Sequence, residues 1–347
     1  MIFRKNEFRN TNDYLKILTN NGISIEKWVK LLQLSQNASP FQTPESYYFF
    51  NNVEGFCADT FAIEIEDEYA SLVVVTLQQE KGFKSFFSRR GIIYGGPLIR
   101  KKHANSIQDI LKYISEFYRG KVIYLETRNF FDYSSCTDCF ITTGWNYKAY
   151  LNVQISLQGK SMDDILSAMK YNRRREIQLS IKEGAIAKVA ENAGDVTTLY
   201  GILFKVYENH VKLPLPGLDF FIGLFNSQIG KVFIVKHKEQ IIGGSFCLYY
   251  ANTSIYTMYY CGLREYHPKI FPTHLAIVAT IDFGLKNNLQ KVDLMGAGKP
   301  NEEYGVRKYK SEFGGDLVEQ GRFIKVYNPF LFQIGKIGLK IIKKLGK

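Results

Sequence analysis

Little in this sequence points to a disulfide framework, a metal site or a membrane span. Cysteines number five in 347 residues, an odd count that argues against a paired disulfide scaffold. Two of them form Cys136-Thr-Asp-Cys139, a lone C-x-x-C without the second pair a zinc site needs. The five histidines, His103, His210, His237, His267 and His274, show no metal-ligand spacing, so no metal is expected. No apolar run approaches the ~20 residues of a spanning helix. The opening Met1-Ile-Phe-Arg-Lys-Asn-Glu7 is polar from the start, unlike a secretory leader. The expected location is therefore cytoplasmic, with the inner membrane face as a candidate address. Gly-rich phosphate loops and dinucleotide fingerprints are missing, and no tightly bound cofactor is expected.

What the sequence does hold is apolar and basic. Hydrophobic residues make up 46% and aromatics 15%, enough for packed cores. The length is too great for one average domain and comfortable for two. The formal net charge is +12. The final twelve residues carry five lysines and no acid, so the rest of the chain still carries +7. Such a surface attracts phosphate-bearing partners.

Patterning supports two similar halves. Ser24 is placed to cap a helix with Ile25, Trp28, Val29 and Leu32 on one face, and Pro44 suits the first turn of a second helix. Strands are expected at 63–65, 71–77 and 91–94. Ile107, Ile110, Leu111 and Ile114 follow at helical spacing, then a strand at Val122–Leu125. The order returns with a strand at 254–260, a helix through Leu275, Val278, Ile281 and Leu285, and a strand at Val292–Leu294. From Val122 to Val292 the offset is 170 residues, the scale of a duplicated domain rather than a solenoid unit. Between the halves, Ser161-Met-Asp-Asp164 has capping-box spacing. It opens a helix through Ile165, Leu166, Met169, Ile177 and Ile181, broken by the polar run Asn172 to Arg175 and ending near Gly184. The expected domains are 1–150 and 151–328, followed by a helix over 329–347. In that helix Ile334, Ile337, Ile341 and Leu345 make one stripe, and Lys336, Lys340, Lys343 and Lys347 the opposite one. The helix reads either as an anionic-membrane element or as a terminal helix packed on the body.

The densest chemistry lies in Tyr304-Gly-Val-Arg-Lys-Tyr-Lys-Ser-Glu-Phe-Gly-Gly315. Three cations, Arg307, Lys308 and Lys310, stand beside two tyrosines and a glycine pair. The stretch is a solvated basic turn or a site that grips an anion or polarises a carbonyl. Arg173, Arg174 and Arg175 point about 100° apart on a helix, so one or two of them can reach a phosphate. His210 is a proton acceptor near neutral pH or an incidental loop histidine. Asp293 is a site carboxylate or the cap of the glycine turn after it. Gly243-Gly244-Ser245 interrupts a strand pair and reads as architecture.

Tyr309-Lys310, Ser311-Glu312, Phe313-Gly314-Gly315 resembles the carboxy-terminal signature of the Fem family, the aminoacyl transferases that build peptidoglycan cross-bridges, and of their GNAT-superfamily acyltransferase relatives. Tyr309 stands where the family usually has phenylalanine. Phe41-Gln-Thr-Pro-Glu45 is similar to an element near the start of such chains, with Ser46 in place of the usual tryptophan. Asn172-Arg-Arg-Arg-Glu-Ile177 with Lys182-Glu-Gly184 is similar to their arginine-rich helix. The resemblance implies an α/β (α+β) fold of two tandem GNAT-like domains, each a mixed sheet flanked by helices, with a cleft between them. It implies Lys310 as the cation that stabilises a tetrahedral oxyanion, with Arg307 and Tyr309 beside it binding substrate. It further implies that Glu208 to Pro216 is an acceptor loop carrying His210 and Lys212, and that Arg173 and Arg174 hold substrate.

The implied function is transfer of an acyl or aminoacyl group to an amine of a peptidoglycan-type cell-envelope precursor, lipid- or nucleotide-linked. The donor is aminoacyl-tRNA or acyl-CoA. One rival is an acyl-CoA-dependent N-acyltransferase acting on an amino sugar of a surface polysaccharide. Another is a non-catalytic RNA- or membrane-binding protein that keeps the fold. A Q/R-x-x-G-x-G/A signature is missing before the helix near Thr273, which tilts away from a standard acetyl-CoA enzyme. No coiled-coil insertion follows Arg175, so any tRNA docks on the body.

Overall fold

The structure, a computed structural model, describes residues 15–78 and 89–345, with side chains to residue 338. Two compact units share the chain. The first comprises Met1–Lys148 and Gly321–Ile334, the second Ala149–Gln320 and Gly335–Lys347.

The first unit runs β1 (Leu15–Thr19), α1 (Ile25–Leu34), α2 (Pro44–Asn51), β2 (Phe56–Ile65), β3 (Glu68–Gln78), β4 (Arg90–Gly95), β5 (Leu98–Ile99), α3 (Ser106–Phe117), β6 (Tyr124–Asn129), α4 (Thr137–Thr142) and β7 (Asn146–Lys148). Ser24 caps α1 by accepting from the Lys27 N–H at 3.4 Å, and Pro44 opens α2. The face of α1 differs from the expected one. Trp28, Leu31 and Leu32 are buried, whereas Ile25 and Val29 are exposed. The indole N–H of Trp28 donates to the Gln42 carbonyl at 2.8 Å, and that bond fixes the rotation of the helix.

The sheet order is β1-β2-β3-β4-β6, then the strand Arg322–Val326, then β7, with β5 paired to β3. Its one parallel pair among the described residues is β4/β6, in register from Arg90↔Tyr124 to Gly95↔Asn129. The helix α3 joins the two strands, as a parallel connection requires. The β3/β4 ladder is shorter, holding only Thr76↔Ile92, Leu77↔Gly91 and Gln78↔Arg90. Beyond it the fully buried Gln42 takes over the ladder. Its amide donates to the carbonyls of Val74 (3.2 Å) and Tyr94 (2.8 Å), and its oxygen accepts from Val74 N–H (2.8 Å). Ile107, Ile110, Leu111 and Ile114 pack with Phe61, Val73, Val75, Leu125 and Trp145 in the core.

The second unit runs β8 (Leu151–Ser156), α5 (Met162–Ala168), α6 (Tyr171–Lys182), β9 (Ile186–Val189), α7 (Ala193–Val206), α8 (Leu218–Asn226), β10 (Gly230–His237), β11 (Gln240–Tyr250), β12 (Ser254–Gly262), α9 (Pro272–Lys286), β13 (Lys291–Gly296), α10 (Gly305–Ser311) and β14 (Asp316–Glu319). Its sheet order is β14-β8-β13-β12-β11-β10-β9, again with one parallel pair, β12/β13, joined by a helix. The capping box at Ser161 and Asp164 is formed. The chain breaks at Met169–Lys170 rather than at the arginine run, because Lys170 N–H leaves the helix to bond the Glu312 carbonyl at 3.1 Å. The arginines therefore lie inside α6. Gly243 and Gly244 do not interrupt the strand. They sit within β11, where a Cβ on Gly244 would meet the Phe233 carbonyl at 2.1 Å and one on Gly243 the Cys261 carbonyl at 2.6 Å.

The chain then returns as β15 (Arg322–Val326) and ends in α11 (Pro329–Leu345). Sequence patterning placed residues 322–328 with the second domain. The ladder instead sets β15 between β6 (Ile324↔Glu126) and β7 (Phe323↔Tyr147). Phe323 anchors it there, stacked on Phe140 with centroids 3.9 Å apart.

Candidate functional site

The site grows from an opening in the second sheet. Strands β12 and β13 pair at Ser254↔Lys291, Ile255↔Val292 and Tyr256↔Asp293, and the ladder stops there. On its other side β13 pairs Asp293↔Gln154 and resumes only at Gly296↔Asn152, with Met295 at a left-handed φ of 60°. The buried Asp293 makes this turn. Its carboxylate accepts from Met295 N–H at 2.6 Å and from the Gln154 amide at 2.9 Å, and burial raises its pKa. Of the two roles open to Asp293 in the sequence, the geometry supplies the cap.

The basic signature, read from sequence as a turn or a site, forms α10. This short helix delivers Lys310, 6% exposed, to the opening. Its ammonium donates to the carbonyls of Leu294 (2.5 Å), Gly296 (2.9 Å) and Met295 (3.4 Å). These carbonyls lie just past Asp293, where the pairing of β13 with β12 ends. Burial pushes the pKa of Lys310 down to about 8, against the opposite pull of the Asp293 carboxylate. The Tyr260 ring of β12 lies 5.9 Å from the ammonium and stacks on Tyr309 at 6.0 Å.

Arg173 sits at the centre of the neighbouring cluster. It donates to Glu312 at 2.5 Å and to Glu176 at 3.2 Å, and its guanidinium lies over the rings of Tyr309 (4.6 Å) and Phe313 (5.0 Å). His274, on α9, contacts Arg173 and Glu176 through Nε2 and the Tyr309 hydroxyl through Nδ1, the last at 3.1 Å. Two neighbours pull this imidazole in opposite directions. Glu176, 3.0 Å away, favours a proton on it, and Arg173 opposes one. An arginine N–H facing Nε2 suits a neutral ring with an acceptor nitrogen there. Burial, then Arg173, pushes its pKa down to about 3. Burial likewise raises the Tyr309 phenol well above its usual range.

The guanidinium of Arg173 thus faces two carboxylates, which balance its charge. Arg307 also serves the backbone, donating to the carbonyls of Ala297 (2.9 Å), Pro300 (3.2 Å) and Lys299, and so braces the loop after β13. The glycine pair is there for close packing. Gly314, at φ 80°, would place a Cβ 2.8 Å from the Ala168 backbone, and Gly315 one 2.8 Å from the Gln154 carbonyl.

Lys310, Tyr309 and Arg173 therefore come together, with Arg307 bracing the adjoining loop. Arg174 is half-buried on the same helix as Arg173. His210 is exposed in a π-turn, Tyr207–Val211, ended by Lys212 in the left-handed region. Neither His210 nor Lys212 has a side-chain hydrogen bond or ion pair to the cluster among the described residues. Phe220 and Phe221, the aromatic pair after that loop, are core residues packed with Phe246 and Tyr259. Four members of the cluster escaped the sequence reading: His274, Glu176, Glu312 and Tyr260. For Glu176 the signal was present, since it lies one turn from Arg173 at i, i+3.

No protein-family model matches the sequence, and no curated protein matches it. Solved structures do. FemX superposes with a TM-score of 0.70 at 11% identity, covering 91% of this chain and 99% of its own. A tandem GNAT protein from the clavulanic acid biosynthesis pathway gives 0.59 at 8% identity, over 91% and 99%. L-PGS from Bacillus licheniformis gives 0.57 at 10% identity, over 92% and 97%. Likeness at these identities establishes the fold: two GNAT-like units in tandem, each a mixed sheet flanked by helices.

Proposed function

We propose that the chain is an acyl or aminoacyl transferase of the Fem type, forming an amide on an amine of a peptidoglycan-type cell-envelope precursor. The observation that carries this reading is a buried cation held across an opened parallel strand pair. Amide formation passes through a tetrahedral oxyanion as the amine nitrogen attacks the donor carbonyl. The C–N bond forms, the donor's ester or thioester bond breaks, and the proton lost by the amine balances the departing hydroxyl or thiol. A fixed donor aimed at that oxygen typically contributes ~3 kcal/mol. Lys310 has two short bonds that hold it in place and one long one, to Met295 at 3.4 Å. The N–H on the long bond is the one a substrate oxygen takes over with least loss.

The donor in this reading is aminoacyl-tRNA or acyl-CoA, and the acceptor is a nucleotide- or lipid-linked precursor. The fold shared with FemX and the body charge of +7 support it. Mass spectrometry of muropeptides from a strain lacking the protein is the test. A missing or shortened cross-bridge is the expected result, restored by the wild-type chain but not by Lys310→Met. Unchanged muropeptides overturn the acceptor. Acyl transfer to an amino sugar by the purified chain, from acyl-CoA and not from charged tRNA, would put the polysaccharide N-acyltransferase in its place.

A further inference from the structure

The last helix, α11, has two apolar faces with different fates. One is docked: the Phe332 ring meets Tyr124 edge-on at 5.0 Å. The other is bare. Phe330, Ile334 and Ile337 follow one another at i, i+4 and i+7, which aligns them on one stripe. They are exposed at 73%, 36% and 55%. Scattered exposed apolar residues need no explanation, but an aligned stripe of large ones marks an interaction surface. Docking through Phe332 fixes the rotation of the helix and keeps this stripe in solvent.

The charge around the stripe identifies what covers it. The final twelve residues hold five lysines and no acid, and Lys336, within the described part, is exposed. An RNA would engage the lysines and leave two isoleucines unused, since bases stack on aromatic side chains. A surface of anionic lipid uses both halves, with apolar side chains entering the acyl boundary and lysines meeting the headgroups. Among the described residues no helix is long and apolar enough to cross a membrane, so the contact lies in the plane of the surface. We propose that α11 is a lipid-surface element, seating the chain on anionic bilayers through Phe330, Ile334 and Ile337. This goes beyond the transfer reading and does not depend on it.

Co-sedimentation of the full chain with phosphatidylglycerol–phosphatidylcholine vesicles tests it, against vesicles of phosphatidylcholine alone. The wild type is expected to partition to the anionic vesicles and to be released by salt. Ile334→Glu with Ile337→Glu should cut partitioning by about tenfold or more, as two apolar contacts become charged, with an unchanged melting temperature. Sedimentation that survives the double substitution overturns the proposal, as does a wild type that stays in the supernatant. So does transfer-RNA binding that depends on the same two isoleucines. A second variant covers failure of the first to fold. Phe330→Trp, at the most exposed position of the stripe, should be quenched by brominated phosphatidylglycerol. Emission indifferent to the brominated lipid counts against insertion.

Discussion

Both units build a sheet around one parallel strand pair joined by a helix, and each has a ladder that gives out and is continued by a side chain. In the first unit β4 and β6 are paired along six residues, and the break lies between β3 and β4. Gln42 fills it with a neutral amide that both donates and accepts. In the second unit the parallel pair itself opens after three residues, and Lys310 fills the break with donors alone. An amide imitates a strand on both sides, whereas an ammonium serves only carbonyls. The first repair is therefore indifferent to pH and complete. The second leaves a charge in a buried place, held to a pKa of about 8, and bonds that charge to the backbone of β13. Buried titratable groups of this kind concentrate at functional sites.

Five substitutions test this difference. Gln42→Leu has the largest expected effect, because it strands three buried backbone groups at ~1–3 kcal/mol each. Denaturant unfolding should show a loss of about 3–9 kcal/mol, and a loss below about 1 kcal/mol would mean the amide carries no ladder. Lys310→Met should cost about 2–4 kcal/mol, since carbonyls tolerate a missing partner better than a stranded N–H. A variant more stable than the wild type would show that burying the charge outweighs its bonds.

Arg173→Met comes next, at about 2–3 kcal/mol, below the cost of a fully buried pair because Glu176 and Glu312 are partly exposed. Adding Glu312→Gln should recover part of that loss, and no recovery would dissociate the two residues. The smallest effect is in pH. An unfolded imidazole takes a proton near pH 6.5, whereas folded His274 resists to about 3. Below 6.5 the unfolded chain binds a proton the folded one refuses, so stability is full above 6.5 and falls as pH drops toward 3. Thermal melts of wild type and His274→Gln at about pH 7 and pH 5 should show the wild type losing more.

The sequence made the architecture legible where signals are local. Ser24, Pro44 and Ser161 stand at helix starts as their chemistry dictates, and the repeated strand–helix–strand order forecast two similar units. The Tyr-Lys…Phe-Gly-Gly segment led to Lys310 and Tyr309, but its bonds were out of reach. The carbonyls it meets lie where the pairing of β12 and β13 ends, and the end of a ladder has no one-dimensional trace. His274 lies 101 residues from Arg173 in sequence, and Glu312 lies 139 away. The histidine was judged only by metal spacing, although its place at the start of an apolar helix marked it as buried. Strand β15 was misassigned for the same reason, since its partner is remote.

That returning strand has a consequence for synthesis. β7 pairs only with β15 in the sheet, and β6 offers β15 an open edge. A ribosome completes residues 149–320, which hold every strand of the second sheet, before β15 emerges. At ~5–20 residues per second that is a wait on the order of ten seconds or more. Throughout it the first sheet carries an unpaired edge while the second sheet is free to close, so the sheet begun first is the sheet completed last. A nascent chain stopped at Gln320 would keep its β6 edge bare, and exposed edges of that kind recruit chaperones or one another.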